Sequence, residues 1–249
     1  MRAKPLLTDE GRAALTDFVT AGPALLAFDY DGTLAPLVRD PRFATMRPRT
    51  RALMERLARA RPESVALVSG RARAEVLRLT EGVPVWRVVG SHGRETSDGE
   101  VRDARVERWG DALSLALAEV AGVRVERKPG GVALHWRGAP DLDLAGEAAL
   151  RAATSVEGAR VMAGHMVVEV LPSDAPHKGH AVEALCREGG FERALYLGDD
   201  TTDESVFAHA GVRLFGVRVG EVDTAAEWGL ACQRDVDPAL ELIVDAIGA

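Results

Sequence analysis

The sequence predicts an α/β fold: a parallel sheet flanked by helices and interrupted by an inserted α+β segment. Three observations point to it. The apolar runs Ala24–Phe28, Ser64–Val68 and Ala194–Leu197 show no polar alternation, as expected of strands buried on both faces of a parallel sheet. Each run ends in a glycine or aspartate signal and gives way to a helical apolar period. Between the second and third runs the pattern changes, over about 75 residues, to half-polar strands and helices, enough chain for a small domain.

In chain order, Ala24–Phe28 forms the first strand and delivers Asp29 and Asp31 to its end. Arg49–Ala60 reads as a helix, Ser64–Val68 as the next strand, and Ala72–Leu79 as the helix beyond Ser69-Gly70. Val85–Val89 extends the sheet. A polar turn at Thr96–Glu100 opens the insertion, followed by a helix around Glu107–Ala121 and strands at Val123–Lys128 and Gly131–Arg137. In the second of these strands Val132, Leu134 and Trp136 alternate with Ala133, His135 and Arg137, giving one apolar face and one face open to a ligand. A helix over Asp143–Ser155 and strands at Ala159–Met162 and Met166–Leu171 complete the insertion. The chain returns to the sheet through a helix at Gly179–Glu188, the strand Ala194–Leu197, a helix at Asp203–His209 and the run Val212–Val219. The expected boundaries are 1–96 with 173–249 for the sheet domain and 97–172 for the insertion.

Composition narrows the function classes. Of the 249 residues 47% are hydrophobic, ample for a packed core, and the net charge of −7 argues against a nucleic-acid partner, which needs a basic stripe. Cys186 and Cys232 lie far apart without metal-ligand spacing, which fits a reducing compartment. The N-terminal stretch "MRAKPLLTDEGRAALTDF" has no apolar h-region, and no apolar run approaches the ~20 residues of a membrane span. The expectation is a soluble, cytoplasmic monomer with no membrane partner.

In open α/β sheets, ligands gather beyond the carboxyl ends of the strands. There the sequence places Asp29 and Asp31, Ser69 and Gly70, Lys178, and Asp199, Asp200 and Asp203. Two carboxylates closing an apolar strand repel unless a cation neutralises them. Mg2+ on Asp29 and Asp199 would do so, since it is a hard ion that takes oxygen ligands. Such a set suits phosphoryl transfer from a monoester. Asp29 attacks phosphorus; Asp31 protonates the leaving alkoxide and later deprotonates the attacking water. The plainer alternative for "FDYDGTL", a strand followed by an Asp-Gly turn, explains Asp31-Gly32 and leaves Asp29 unexplained. In "LVSGR", Ser69 and nearby N–H groups either cradle a phosphate or cap a helix. In "LYLGDDTTDE", Thr201 and Glu204 match a capping box and Asp203 suits a first helical turn, which leaves Asp199 and Asp200 for a metal. Lys178 opens a helix, where the dipole disfavours a cation. Only three of the 31 basic residues are lysines, so a point charge facing phosphate and Asp29 stands against a solvated surface lysine. Lys128, in the insertion, carries the same signal more weakly.

"DYDGTL", "SGR", the "KG" helix start and "GDDTTDE" occur in the order and spacing of the haloacid dehalogenase (HAD) superfamily of phosphatases. With "FDYDGTLAPL", "GSHGRE", "ERKPGGVALHWRGAP" and "MVVEVLP" added, the chain from Leu25 onward resembles the trehalose-6-phosphate phosphatase family. The resemblance implies a Rossmann-like HAD core with a mobile α+β cap, and Mg2+-dependent hydrolysis of trehalose 6-phosphate, a small-molecule sugar phosphate. It implies Asp29 as nucleophile, Asp31 as general acid/base, and Ser69, Gly70 and Lys178 on the phosphate. Mg2+ would sit on Asp29, the Asp31 carbonyl and Asp199, supported by Asp200 and Asp203. Glu126, Lys128 and Glu169 of the cap match residues that grip the sugar hydroxyls, and His92 and Arg94 fall at the hinge. Two positions depart from the family's pattern: Leu171 stands where a basic residue usually precedes the proline, and His177 precedes the "KG". The alternatives are a phosphatase for another glycosyl phosphate (a sucrose or glucosylglycerol phosphate), a sugar-phosphate sensor without turnover, and a phosphomutase. Both Asp29 and Asp31 being present speaks against the sensor.

Overall fold

The computed structural model of the chain describes residues 2–97, 99–100, 103–128, 130–164, 166–208 and 211–248. It divides into two compact units, Met1–Asp98 with Pro176–Ala249, and Gly99–Ala175. In chain order the first unit holds β1 (Lys4–Pro5), α1 (Asp9–Thr20), β2 (Leu25–Phe28), α2 (Pro48–Ala60), β3 (Val65–Val68), α3 (Arg73–Leu79), β4 (Arg87–Val89) and β5 (Glu95–Thr96). The second holds β6 (Gly99–Glu100), α4 (Ala104–Ala116), β7 (Arg124–Lys128), β8 (Gly131–His135), α5 (Leu142–Thr154), β9 (Ala159–Gly164) and β10 (Val167–Pro172). The chain re-enters the first unit through α6 (Lys178–Gly189), β11 (Arg193–Gly198), α7 (Glu204–Phe207), β12 (Arg213–Val219), β13 (Trp228–Leu230) and α8 (Val236–Ala246).

The first unit is a seven-stranded sheet in the order β1-β13-β12-β11-β2-β3-β4, and every pair in it is parallel. The strands expected to be buried on both faces are so: Leu25–Phe28 and Val65–Val68 are buried throughout. On one face Leu15, Phe18, Leu53, Leu57, Leu240 and Ile243 of α1, α2 and α8 pack against Phe28, Leu67 and Leu197. On the other, Ala181, Val182 and Leu185 of α6 meet Ala27, Val68 and Tyr196. Fully burying a Leu or Phe side chain contributes about 1.5–3 kcal/mol, so this double-sided layer is the main source of the unit's stability. The direction in which successive strands are added reverses about β2, which has β3 on one side and β11, from much later in the sequence, on the other. Such a switch point opens a crevice at the carboxyl ends of the central strands.

The second unit is an antiparallel sheet in the order β7-β8-β10-β9. Its inward residues Val132, Leu134, Val168 and Val170 pack beneath Val106 and Leu113 of α4 and Ala149 and Ala153 of α5. With both helices on one face, the opposite face keeps Glu126, Lys128, His135 and Glu169. Ala133, expected to face outward with them, is fully buried, because the longer Glu126 and Glu169 flank it in register on the neighbouring strands.

Several expectations need correction. The helix expected over Asp203–His209 is a 3-10 turn, Thr201–Asp203, followed by the short α7, and His209 lies outside the described residues. Asp98 of the expected Thr96–Glu100 turn lies outside them too. The helix expected around Glu107–Ala121 starts and ends earlier, as α4. Helices α1 and α8, the edge strand β1 and its neighbour β13 go beyond the expected elements. Helix α1 is fixed by the Thr8 N-cap, which accepts from the Gly11 amide, and by Asp9 and Glu10 in its first turn. Gly11 has no alternative there, since a Cβ would sit 2.3 Å from the Leu6 carbonyl oxygen. Among the described residues, no helix is long and apolar enough to cross a membrane.

Candidate active site

The two carboxylates that close β2 end up in different surroundings. Asp29 is buried, and its amide donates to the Leu197 carbonyl at 2.9 Å, extending the β2–β11 pairing by one residue. The next residue, Tyr30, is buried with its hydroxyl donating to the Ala44 carbonyl at 3.0 Å. The chain then turns through Gly32 at φ +75° and closes with Gly32 N–H to Ala35 O at 2.7 Å. Glycine is required twice over at this point. A side chain would be strained at that φ, and its Cβ would lie 1.9 Å from Asp199 Oδ2. Asp199 thus sits directly against the turn, with Thr33 Oγ1 donating to its Oδ1 at 3.3 Å.

Lys178, at the first turn of α6, is 2% exposed and donates to both Asp29 Oδ1 and Asp203 Oδ1 at 2.8 Å. The surface-lysine alternative is therefore excluded. Burial works against its charge, but Asp29 and Asp203 more than offset it and hold the ammonium firmly protonated. Asp203 is fully buried; its Oδ1 also accepts from the Tyr196 hydroxyl at 2.6 Å, and its Oδ2 from the Asp200 amide at 2.8 Å. Asp203 therefore orients Lys178. Asp200 does not join the carboxylate cluster with its side chain, which is exposed and caps the 3-10 turn by accepting from the Thr201 amide. The capping box is Asp200 with Asp203, not Thr201 with Glu204; Glu204 instead accepts from Thr224 Oγ1 and the Ala225 amide. His177, one of the two departures, is the N-cap of α6, where it exchanges hydrogen bonds with His180 and stacks on its ring at 3.7 Å.

Ser69 is buried, and its hydroxyl accepts from the Arg71 amide at 3.2 Å within a turn. Helix α3 begins only at Arg73, behind Ala72, so Ser69 is not its cap. Gly70 leaves room for the His92 ring, whose Cε1 would lie 2.5 Å from a Cβ there. Ser91 and His92 both have positive φ, and Glu95 clamps this strained turn by accepting from Ser91 Oγ and the Arg73 amide. Arg94, the other residue expected at the hinge, is buried and donates to the Ser91 carbonyl at 2.8 Å. Asp31 is engaged by Arg71, the third residue of the "SGR" motif. The guanidinium reaches Asp31 Oδ2 at 2.5 Å and Oδ1 at 2.7 Å. The "SGR" motif was the only signal for it. Asp31 and Arg71 line a cavity of 290 Å³ together with Leu37, Val38, Pro41 and Ala44.

On the polar face of the second unit, Lys128 pairs with Glu169, and His135 lies 2.8 Å from Glu126. Burial pushes Glu126 up, but its hydrogen bond with His135 and the charge of Lys128 outweigh that and leave it below the usual range. Leu171, the second departure, is buried.

Carboxylate oxygens of Asp29, Asp199 and Asp203 lie within 4.8 Å of one another, the one such cluster among the described residues. Burial, then the charge of Asp203, pushes Asp199 up to about 6. Burial likewise lifts Asp29 well above the ordinary carboxylate range, and Lys178 offsets only part of it. Three acids, two buried and one half-buried, against one lysine make a donor set short of positive charge, all oxygen, and it fits a hard divalent cation. Asp203 already spends its oxygens on Lys178, Tyr196 and Asp200, so Asp29 and Asp199 are the carboxylates free to hold a metal.

Comparison with known proteins adds family context. Residues 27–229 match the family model described as trehalose-phosphatase. The chain is 32% identical over 250 residues to a trehalose-6-phosphate phosphatase of Escherichia coli, covering 94% of this chain and 93% of that protein. It is 35% identical over 236 residues to a trehalose-phosphate phosphatase of Mycobacterium marinum, covering 86% of this chain and 60% of that one. A second mycobacterial relative, from Mycobacterium avium, is matched over 49% of its length at 38% identity, so the chain spans about half to three fifths of these longer proteins. Among solved structures, the C-terminal domain of a trehalose-6-phosphate phosphatase of Candida albicans superposes with a TM-score of 0.72 at 25% identity, covering 98% of this chain and 99% of that one.

Proposed function

The chain belongs to the trehalose-phosphatase family, and from that premise we propose that it hydrolyses trehalose 6-phosphate to trehalose and phosphate through an aspartyl-phosphate on Asp29. The observation that carries this is the divergence of the two β2 carboxylates. Asp29 is buried beside Lys178 and the acidic cluster, whereas Asp31 lines a cavity and is paired with Arg71. A nucleophile and a proton carrier need such different surroundings.

In the first half-reaction a carboxylate oxygen of Asp29 bonds to phosphorus as the ester P–O bond breaks, and Asp31 gives its proton to the departing sugar oxygen. In the second, water attacks phosphorus, Asp31 takes its proton, and the acyl-phosphate bond to Asp29 breaks. Lys178, the Ser69 hydroxyl and the Gly70 amide bind the non-bridging oxygens, the lysine as a point charge whose direction Asp203 sets. Asp29, Asp199 and the Asp31 carbonyl would hold Mg2+, which supplies positive charge against the phosphate and the clustered carboxylates. Glu126, Lys128 and Glu169 bind the sugar hydroxyls, so the first unit carries the chemistry and the second selects the substrate. All these residues come from one chain, so no second copy is required, and the free Cys186 and Cys232 suit a cytoplasmic setting.

The test is phosphate release from a panel of sugar phosphates with and without Mg2+. Trehalose 6-phosphate should be preferred by at least ~10-fold in kcat/KM, about 1.4 kcal/mol of discrimination. Equal turnover of glucose 6-phosphate, or preference for a sucrose or glucosylglycerol phosphate, would overturn the substrate. Retained activity in Asp29→Asn would overturn the nucleophile.

A further inference from the structure

We infer that Arg71 is a positioning residue for the proton transfers of Asp31, an inference that rests on the acid/base role proposed above. Asp31 lies in the turn after β2, where no regular element fixes its side chain. What fixes it is the Arg71 fork, with Nε on Oδ2 at 2.5 Å and Nη2 on Oδ1 at 2.7 Å. Two parallel bonds define the plane of a carboxylate as well as its position. Each oxygen keeps a further lone-pair direction, so the carboxylate can still carry a proton while held.

The fork is itself immobilised. The Arg71 side chain is 9% exposed. Its Nη1 is held by Glu75 one turn along, its Nη2 also donates to the Pro41 carbonyl at 2.8 Å, and the guanidinium lies 5.9 Å from the centre of the buried Tyr30 ring. Its backbone amide is bonded to Ser69 Oγ, so the residue that aims Asp31 is tied to the turn assigned to phosphate. Because Asp31 and Arg71 both line the 290 Å³ cavity, the held carboxylate borders open space rather than packed side chains.

Positioning is distinguished from phosphate binding and from a purely structural role by the leaving group. Departure of a sugar alkoxide needs a proton from Asp31, whereas p-nitrophenolate leaves without one. The value of kcat/KM reports steps up to that departure, so the experiment compares kcat/KM for trehalose 6-phosphate and p-nitrophenyl phosphate in Arg71→Met, Arg71→Lys and Asp31→Asn. General acid catalysis contributes 10²–10⁴-fold, and Arg71→Met is expected to lose ~30-fold or more on trehalose 6-phosphate, at least tenfold more than on p-nitrophenyl phosphate. Arg71→Lys, which keeps the charge without the fork, should show the same asymmetry to a smaller degree, and it serves if the methionine variant does not fold. Equal losses on both substrates, or none on either, would overturn the inference while Asp31→Asn still shows the asymmetry. If Asp31→Asn itself loses equally on both substrates, the acid/base role of Asp31 falls, and the inference with it.

Discussion

Replacing Lys178 by methionine removes the one cation from a buried group of acids while keeping most of the side-chain volume. Two charge-assisted bonds of 2.8 Å disappear, to Asp29 and to Asp203. At about 1.5–3 kcal/mol each their gross loss is ~3–6 kcal/mol. Part is recovered because Asp29, already raised by burial, can take up a proton and become neutral. The net expectation is ~3–5 kcal/mol, the usual result of breaking a buried pair by removing one partner. That is a large share of the 5–15 kcal/mol typical of a folded domain, so the variant should fold but unfold at markedly lower urea. Saturating Mg2+ should recover more stability in the variant than in the wild type, because the site is then more negative. Turnover should fall by about 10²–10³-fold, as when a donor to developing negative charge is removed. Urea unfolding at neutral pH, with and without Mg2+, measures the first two effects. A stability loss under ~1 kcal/mol would refute the view that this lysine balances the buried carboxylates.

Asp199 gives a pH and metal prediction. Its folded value of about 6 lies above the ordinary 3.8, so the fold favours its protonated form; its contribution to stability is fullest below pH ~4 and is lost as pH rises through about 6. The decline without metal is at most ~3 kcal/mol, and Mg2+ should cancel it; an Asp199→Asn variant with the same slope and the same Mg2+ response would exclude this group as the cause. Gly32→Ala places a Cβ 1.9 Å from Asp199 Oδ2 at a positive φ, so it should cost ~1–2 kcal/mol in backbone strain alone and weaken Mg2+ binding in calorimetry. Unchanged affinity would show that the turn does not aim Asp199. Lys128→Ala should lower kcat/KM for trehalose 6-phosphate at least ~10-fold more than for p-nitrophenyl phosphate, whereas an equal loss on both would remove Lys128 from the sugar site.

The site was legible in the sequence where it depends on the ends of doubly buried strands. Asp29 and Asp199 could be placed because Leu25–Phe28 and Arg193–Gly198 are almost wholly apolar and end abruptly. Lys178 was legible by contrast, as a lysine in an arginine-rich chain. Arg71 was not, because what distinguishes it is a contact with Asp31 across separate βα turns, and no local period encodes that. The capping box was misplaced by one residue because Asp200 and Thr201 are both good N-caps, and only the burial of Asp203 decides between them. Helix α8 is strongly apolar, and Pro238 sits in its first turn, where a missing N–H costs nothing. Strands β1 and β13 are too short to show any period and exist only through each other and β12.

The strand order has a consequence for how the chain is made. During synthesis β2 emerges early and can pair with β3, but its other neighbour, β11, follows only after β4 and the whole second unit. At ~5–20 residues per second the wait is roughly 10–30 s. For that time Leu25–Phe28 presents an open backbone edge of four apolar residues to whatever is nearby, the kind of edge that recruits other chains. The same arrival of β11 also brings Asp199 up to Asp29, so the crowding of charge that makes the site useful is deferred until the sheet is closed and Lys178 is in place to bear it.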